Sequence, residues 1–351
     1  MGLNLTLLGE PQLLESPLLQ FPSDNWAKEI GFSPNGQWFA YGTGFPPSGF
    51  PNTIYLFSAQ GEIIRQIPPG ILPNPMDPQA GGWTSTRWLN DELMLISIFN
   101  GTKEYREFFL ALLDPFTGVW HQSFLDNLPD RYDQAAVQFS PDLTRVMYVR
   151  EPDEEFRYSL VLWSLETKTE LWRREGFQNN AMIRGAQGGD TDTLAWSRDS
   201  LLIAFVDWVP TSGGGEGQLY VIDRNGKNLK ILNSSLQLGN GTYGLSWSPN
   251  GHYLAAVSPL AKDPMKRGIV IYDVETNNAI DMCPLAEDDN PVNRTGNGRI
   301  IWSPNGQYLA YGTGWDPLSD SDGIVLLDVY SGEIFLLKQG ARVMLSASLT
   351  S

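Results

Sequence analysis

Short apolar stretches in this chain alternate with polar punctuation, and the punctuation recurs. "FSPNGQWFAYGTGF" spans residues 32–45 and "WSPNGQYLAYGTGW" spans residues 302–315, with ten of fourteen positions identical. The same grammar returns as "TRWLNDELMLISI" from Thr86 and "VQFSPDLTRVMYV" from Val137. It returns again as "LAWSRDSLLIAFV" from Leu194 and "LSWSPNGHYLAAV" from Leu245. The positions after the aromatic are 33, 89, 140, 197, 248 and 303, an average spacing of 54 residues. In each unit a short apolar run ends in Phe32, Trp88, Phe139, Trp196, Trp247 or Trp302. Ser-Pro, where present, stops the ladder, because proline has no N–H to donate. Asn-Gly, in three copies, tolerates the positive φ of a tight turn. A second apolar run follows, then a loop, a third run such as "GIVLLDV", a turn such as "YSGE", and a fourth run such as "EIFLLK".

Four antiparallel strands in about 50 residues, repeated at a fixed period, predict the blades of a β-propeller. One blade cannot bury both of its faces, so the units must stack around an axis. The six aromatics then pack between blades. The expected class is all-β: a propeller with six clear repeats over residues 25–338, forming with the two chain ends one domain over 1–351. Residues 3–21 read as a hairpin with a turn at Gly9, and "ARVMLSASLTS" adds an apolar strand after the sixth unit. These ends, 1–24 and 339–351, predict a composite seventh closure blade; a six-bladed ring with an overlapping N-terminal strand is the alternative.

The "W-S-P-N-G-x-x-L-A" opening, with "V-I-D-R-N-G-K" and "L-L-D-V-Y-S-G-E" further on, resembles the TolB-type propeller repeat. The Gly-His and Trp-Asp signatures of the tryptophan–aspartate repeat are missing. The resemblance implies architecture and leaves function open, since relatives of this repeat include a periplasmic protein that binds protein partners and the propellers attached to prolyl-oligopeptidase-like hydrolases.

Antiparallel connectivity sends the first-to-second and third-to-fourth turns to one face, and here they are short. The second-to-third loops and the links between blades share the other face. These are long: "GTGFPPSGFPN", "DWVPTSGGGEGQ", "GTGWDPLSDSDG" and "AEDDNPVNRTGNGR" among them. Long loops on a rigid scaffold commonly carry binding. The residues expected just before the innermost strands are Trp26, Lys28, Trp83, Asp133, Asp190, Asp192, Tyr243, Asn297 and Arg299. They would ring the channel mouth on that face with aromatic, acidic and basic groups.

Charge narrows the partner. Forty acidic against 24 basic residues give a net charge of −16, which repels a phosphate backbone, so no nucleic-acid partner is expected. No apolar run approaches the roughly 20 residues of a membrane span, so no membrane insertion is expected either. The start lacks a basic n-region and a continuous apolar core; with a single cysteine, Cys283, this favours a cytoplasmic chain, or a periplasmic one if a leader has been removed.

Candidate chemistry is sparse. There is no Gly-x-Ser-x-Gly elbow, and the two histidines, His121 and His252, sit in turn or strand-end contexts unlike a catalytic base. Two histidines and one cysteine give no zinc spacing. "AEDDN", "GGDTDT" and "SDSDG" lack the spacing of a calcium loop and read as acidic turns. The expectation is therefore a monomeric, non-enzymatic ring, with no cofactor and no metal, that binds a protein through its long-loop face. Carbohydrate or small-ligand binding at the mouth, and a metal-dependent hydrolase or lactonase, are the alternatives.

Overall fold

The computed structural model describes residues 27–35, 37–43, 54–58, 62–67, 81–102, 105–119, 132–150, 158–178, 193–211, 214–236, 243–259, 267–284, 295–303, 305–313 and 323–339. Among them all helical or strand structure is strand, and it falls into six antiparallel sheets in chain order. The first sheet holds β1 (Ala27–Phe32), β2 (Trp38–Thr43), β3 (Ile54–Ser58) and β4 (Ile63–Ile67). The second holds β5 (Gly81–Trp88), β6 (Met94–Thr102) and β7 (Tyr105–Leu113). The third holds β8 (Tyr132–Phe139), β9 (Arg145–Arg150), β10 (Tyr158–Ser164) and β11 (Thr169–Phe177). The fourth holds β12 (Leu194–Trp196), β13 (Leu202–Thr211), β14 (Gly214–Asp223) and β15 (Lys230–Leu236). The fifth holds β16 (Tyr243–Trp247), β17 (Tyr253–Pro259), β18 (Arg267–Asp273) and β19 (Asn278–Pro284). The sixth holds β20 (Thr295–Trp302), β21 (Tyr308–Thr313), β22 (Gly323–Asp328) and β23 (Ile334–Gln339).

Five sheets have the expected four strands in sequential order; the second has three among the described residues, and its expected fourth strand near His121 lies outside them. Of the expected closure segments 1–24 and 339–351, only Gln339 is described, as the last residue of β23; the rest lies outside the described residues. The first strands neighbour one another, β1 beside β5, β8 beside β12, β12 beside β16 and β16 beside β20, as the innermost strands of stacked blades must.

Apolar clusters join consecutive sheets. Ala204, Val206 and Val221 of the fourth meet Leu254, Ala256 and Tyr272 of the fifth, whose Ala255, Val257 and Ile271 on the other face meet Leu309, Tyr311 and Leu327 of the sixth. The aromatics that end the first strands add a polar link. Trp196, Trp247 and Trp302 donate their indole N–H to the carbonyls of Gln138, Ala195 and Ser246, at 3.2, 3.0 and 2.9 Å. Each acceptor is the residue before the preceding sheet's own aromatic, so the tryptophans join neighbouring sheets as expected. Phe32 and Phe139 cannot make this bond.

The short turns are held by the side chains that define the repeat. Ser303 is buried; its hydroxyl donates to Asn305 Oδ1 at 2.6 Å and accepts from the Tyr308 N–H at 2.8 Å. Ser33, Ser140, Ser197 and Ser248 do the same. The residue after the Asn or Asp takes positive φ: Leu143, Ser200, Gly251 and Gly306. Asparagine or aspartate is thus the structural constant, which is why Arg198 can replace the proline without losing the turn. In the fourth, fifth and sixth sheets the third-to-fourth turn uses an aspartate ending the third strand, as where Asp273 Oδ1 accepts from the N–H groups of Glu275 and Thr276. In the first and third the hydroxyls of Ser58 and Ser164 accept instead.

The backbone N–H of Thr276 is the main cause that holds the Asp273 carboxyl below its ordinary value. Burial alone would raise Asp142 and Asp328, but hydrogen bonds from Ser140 and Thr144, and from Gln307, Ser331 and Tyr330, leave both lowered. A carboxylate lowered on folding stabilises the fold above its unfolded value, about pH 4, and loses that contribution as pH falls through the folded value. The urea midpoint should therefore hold steady between about pH 7 and 5 and drop below about pH 4. A midpoint unchanged down to pH 3 would contradict this role.

One turn glycine is tied to packing. Gly226 has φ of 75°, and a Cβ there would lie 2.4 Å from Trp172 Cβ and 3.0 Å from the Leu171 carbonyl on the neighbouring sheet. Gly226→Ala should cost about 2–3 kcal/mol, from left-handed strain plus the displaced turn. Gly176→Ala has φ of 68° but nothing within 4 Å. It should cost only the strain, about 1 kcal/mol. Equal losses in urea denaturation would show that the contact does not matter.

Candidate functional site

Six of the nine mouth residues fall within described strands, none of them before the strands as expected. Lys28 is the second residue of β1, Trp83 the third of β5, Asp133 the second of β8, and Tyr243 the first of β16. Asn297 and Arg299 are the third and fifth of β20. Trp26, Asp190 and Asp192 lie outside the described residues. The first strands begin earlier because their partners extend to match: Gly81 pairs with Asn100, and Thr295 with Thr313.

These mouth-side ends share a feature that the sequence did not disclose. The register between first and second strand slips in five sheets: between Glu29 and Gly31, Trp83 and Ser85, Tyr132 and Val137, Tyr243 and Ser246, and Thr295 and Ile300. In β8 and β20 the slip is large. Five steps from Tyr132 to Val137 answer two on β9, and five from Thr295 to Ile300 answer two on β21. Asp133 lies inside the first bulge, Asn297 and Arg299 inside the second. Trp83 and Tyr243 border their slips, and Lys28 precedes one by a residue. A bulge adds unpaired backbone, bends the strand and re-aims its side chains, and bulges concentrate at barrel rims and beside active sites. Gly244, with φ of 66°, sits in the β16 slip, where glycine takes the positive φ at no steric cost. Thr193, beside the start of β12, is 7% exposed and its hydroxyl has no hydrogen-bond partner.

On the same face, "DWVPTSGGGEGQ" is not the loop expected from its glycines. It is a two-stranded ribbon, with Asp207 opposite Gln218 and pairing that continues to Thr211 opposite Gly214. β12 pairs only as far as Phe205, and β15 only from Gly217 onward. Among the described ladders, the ribbon tip is therefore held by its own two strands alone.

The ribbon base is anchored across a sheet boundary. Asp207, 2% exposed, pairs with the Arg174 guanidinium of β11 through Nε, and accepts from the Gln178 N–H at 3.0 Å. Arg174 Nη2 donates to the Tyr220 hydroxyl at 2.8 Å, and its Cζ lies 4.4 Å from that ring's centroid. The Tyr220 hydroxyl donates to Gln218, and its ring stacks on Phe205 at 5.1 Å. Burial pushes the Tyr220 hydroxyl above its ordinary value.

A cavity of about 560 Å³ opens at the opposite, short-turn end, lined by Asn90, Asp91, Asp142, Arg198, Asp199 and Trp247 among others. Its carboxylates serve the turns. Asp91 accepts from the Asn35 N–H at 2.7 Å, Asp142 from Ser140 and Arg224, and Asp199 from Ser197 and Leu201. His252 is exposed on this face, with Nδ1 3.2 Å from Glu275 Oε1, and His121 lies outside the described residues. No group of three metal-ligating side chains occurs among the described residues, and no helix among them is long and apolar enough to cross a membrane.

The architecture is shared with solved structures. An oligogalacturonate lyase in complex with manganese has a TM-score of 0.54 at 15% identity, over 91% of this chain and 79% of that chain. The β-propeller domain of the Trilobed protease from Pyrococcus furiosus, with an open velcro topology, has a TM-score of 0.50 at 14% identity, over 90% and 84%. The fold is that of a TolB-like β-propeller. TolB from Acinetobacter baumannii itself is 16% identical over 92% of this chain and 67% of that one, with a TM-score of 0.49. No protein-family model matches the sequence, and neither does a curated protein. At these identities the likeness is one of fold.

The comparison corrects the expectation that this propeller is not an enzyme. The same fold is that of the lyase, and part of a puromycin-hydrolysing peptidase from Mycobacterium tuberculosis has it too, with a TM-score of 0.53 at 12% identity over 91% of this chain and 46% of that one. The expectation weighed only a serine elbow, a histidine base and metal-ligand spacings. A fold shared with a lyase in complex with manganese is not limited to those chemistries, so their absence from the sequence does not set this chain apart from enzymes.

Proposed function

We propose that this TolB-like propeller works through the long-loop face of its ring, where the bulged openings of the first strands and the β13–β14 ribbon form a docking surface for a protein partner. The observation that supports this most directly is the coincidence of register slips with Lys28, Trp83, Asp133, Tyr243, Asn297 and Arg299. Five independent strand pairs give up regular pairing at the same end of the ring. At the other end, serine, aspartate and asparagine side chains hold every described turn in a repeated pattern. An irregular rim above a rigid wall is a common way for a propeller-like scaffold to carry recognition. The net charge of −16 favours a partner with a basic surface, whose association is steered by long-range attraction and slows as salt rises.

The test is capture from the native organism with the full chain as bait, followed by mass spectrometry. A protein retained by the wild-type chain and lost when the mouth residues are substituted supports the reading. Retention that depends on the short-turn face instead would replace it. Oligogalacturonate with manganese belongs in the same series, because cleavage abolished by the mouth substitutions would move the reading from a docking surface to a catalytic one.

A further inference from the structure

We infer that the cavity at the short-turn end is a second binding site, and that it takes a zwitterion with an apolar body, an apolar amino acid or a short peptide. It lies away from the long-loop face, and what marks it is where the repeat is broken. The residue after the buried serine is Pro34, Pro141, Pro249 or Pro304 in the first, third, fifth and sixth sheets, and Arg198 in the fourth. The turn does not use the arginine, since Ser197, Asp199 and Ser200 form it. Arg198 is exposed and lines the cavity, and its guanidinium has no hydrogen-bond or ion-pair partner among the described residues.

The acids of the cavity also exceed what the turns require. Asn35, Asn250 and Asn305 accept the serine hydroxyl in three sheets, where Asp142 and Asp199 do so in the third and fourth. An uncharged amide serves the turn as well, so the turn does not need the negative charge. Arg224 neutralises Asp142, from a position that holds Ala59, Pro115, Leu165, Val274 or Val329 in the other sheets. Asp91 and Asp199 have no such cation. Each accepts hydrogen bonds through Oδ1 only, Asp91 from the Asn35 N–H and Asp199 from Ser197 and Leu201, which leaves Oδ2 open among the described residues.

The unmatched charges of the cavity are therefore one guanidinium and two carboxylates. Leu89, Trp196, Leu245 and Trp247 line the space with them. Both indole N–H groups are already bonded to the carbonyls of Gln138 and Ala195, so these tryptophans offer the ligand apolar ring surface. A lone anion would face Asp91 and Asp199, and a lone cation would face Arg198; like charges brought together are costly, and a zwitterion matches both signs. The guanidinium suits a carboxylate, which it can hold through two parallel hydrogen bonds. The carboxylates suit an ammonium group. A volume of about 560 Å³ falls within the range of small-ligand sites.

Calorimetric titration of the full chain with phenylalanine and with the tripeptide Leu-Phe-Leu tests this, each ligand being used free, amidated at its carboxylate and acetylated at its amine. At least one free form should bind with a Kd of about 1 mM or tighter, and its capped forms at least about tenfold more weakly. Binding of phenylalanine alone assigns the site to a free amino acid, and binding of the tripeptide assigns it to a peptide. Arg198→Pro restores the residue of the other repeats and should abolish the preference for the free carboxylate. Asp91→Asn with Asp199→Asn keeps the turn acceptors and should abolish the preference for the free amine. No binding of either free form up to about 10 mM, capped forms that bind as tightly, or preferences that survive these substitutions would overturn the inference. Binding that is lost instead on replacing Trp83, Tyr243 and Arg299 would overturn it too, by moving the ligand to the long-loop face.

Discussion

Arg174→Met should lower the stability of this protein by about 3 kcal/mol, because it removes the guanidinium that pairs with the buried Asp207 carboxylate. The arginine side chain is 24% exposed and the aspartate 3%, so water can replace part of the lost interaction and the effect belongs near the lower end of the range for broken buried pairs. The loss is compound. The same guanidinium bonds the Tyr220 hydroxyl and lies over its ring, so the anchor between β11 and the base of the β13–β14 ribbon goes with it. Arg174→Met combined with Asp207→Leu should recover most of the stability, since a buried ion pair replaced by apolar groups of similar volume is often neutral. Urea denaturation of the three proteins checks this. A single variant as stable as the wild type, or a double variant no better than the single, would mean that the pair does not anchor the ribbon.

The second large effect is on binding. Replacing Trp83, Tyr243 and Arg299 together by alanine should weaken partner binding by more than about a hundredfold, given that central aromatics and arginines commonly account for about 2 kcal/mol each. Stability should change little, because the three positions lie at the irregular openings of β5, β16 and β20 rather than in the alternating stretches that fill the clusters between sheets. Matched substitutions of Asn35, Gly306 and Gln307 on the short-turn face should leave affinity intact and cost on the order of 1 kcal/mol of stability. Titration calorimetry with the captured partner, alongside thermal unfolding, separates the two outcomes. Affinity lost in the turn variant and kept in the mouth variant would place recognition at the other end of the ring.

The fold was legible because its signal is local and repeated. Each buried serine, each turn asparagine or aspartate and each strand-ending aromatic does its work within a few residues or one repeat away, so the spacing of 33, 89, 140, 197, 248 and 303 carried the architecture. The mouth was legible only in part. A bulge depends on the relative lengths of two strands, and in "TGNGRIIW" and "YDQAAVQF" the extra residues break the alternation that would have marked them as strand. The ribbon was hidden for a related reason. "DWVPTSGGGEGQ" has the composition of a loop, yet its backbone groups find partners in one another as far as Thr211 and Gly214. The Arg174–Asp207 pair joins residues 33 apart on different sheets, a contact no local pattern announces. Enzyme status was misjudged from motifs alone, since a fold shared with a lyase does not depend on a serine elbow or a histidine base.

The most direct measurement is an amide-exchange footprint of the propeller with its captured partner. The account predicts new protection at the openings of β5, β8, β16 and β20 and along 207–216, with the turns at 33–37, 248–252 and 303–307 unchanged. Protection confined to those turns would contradict it.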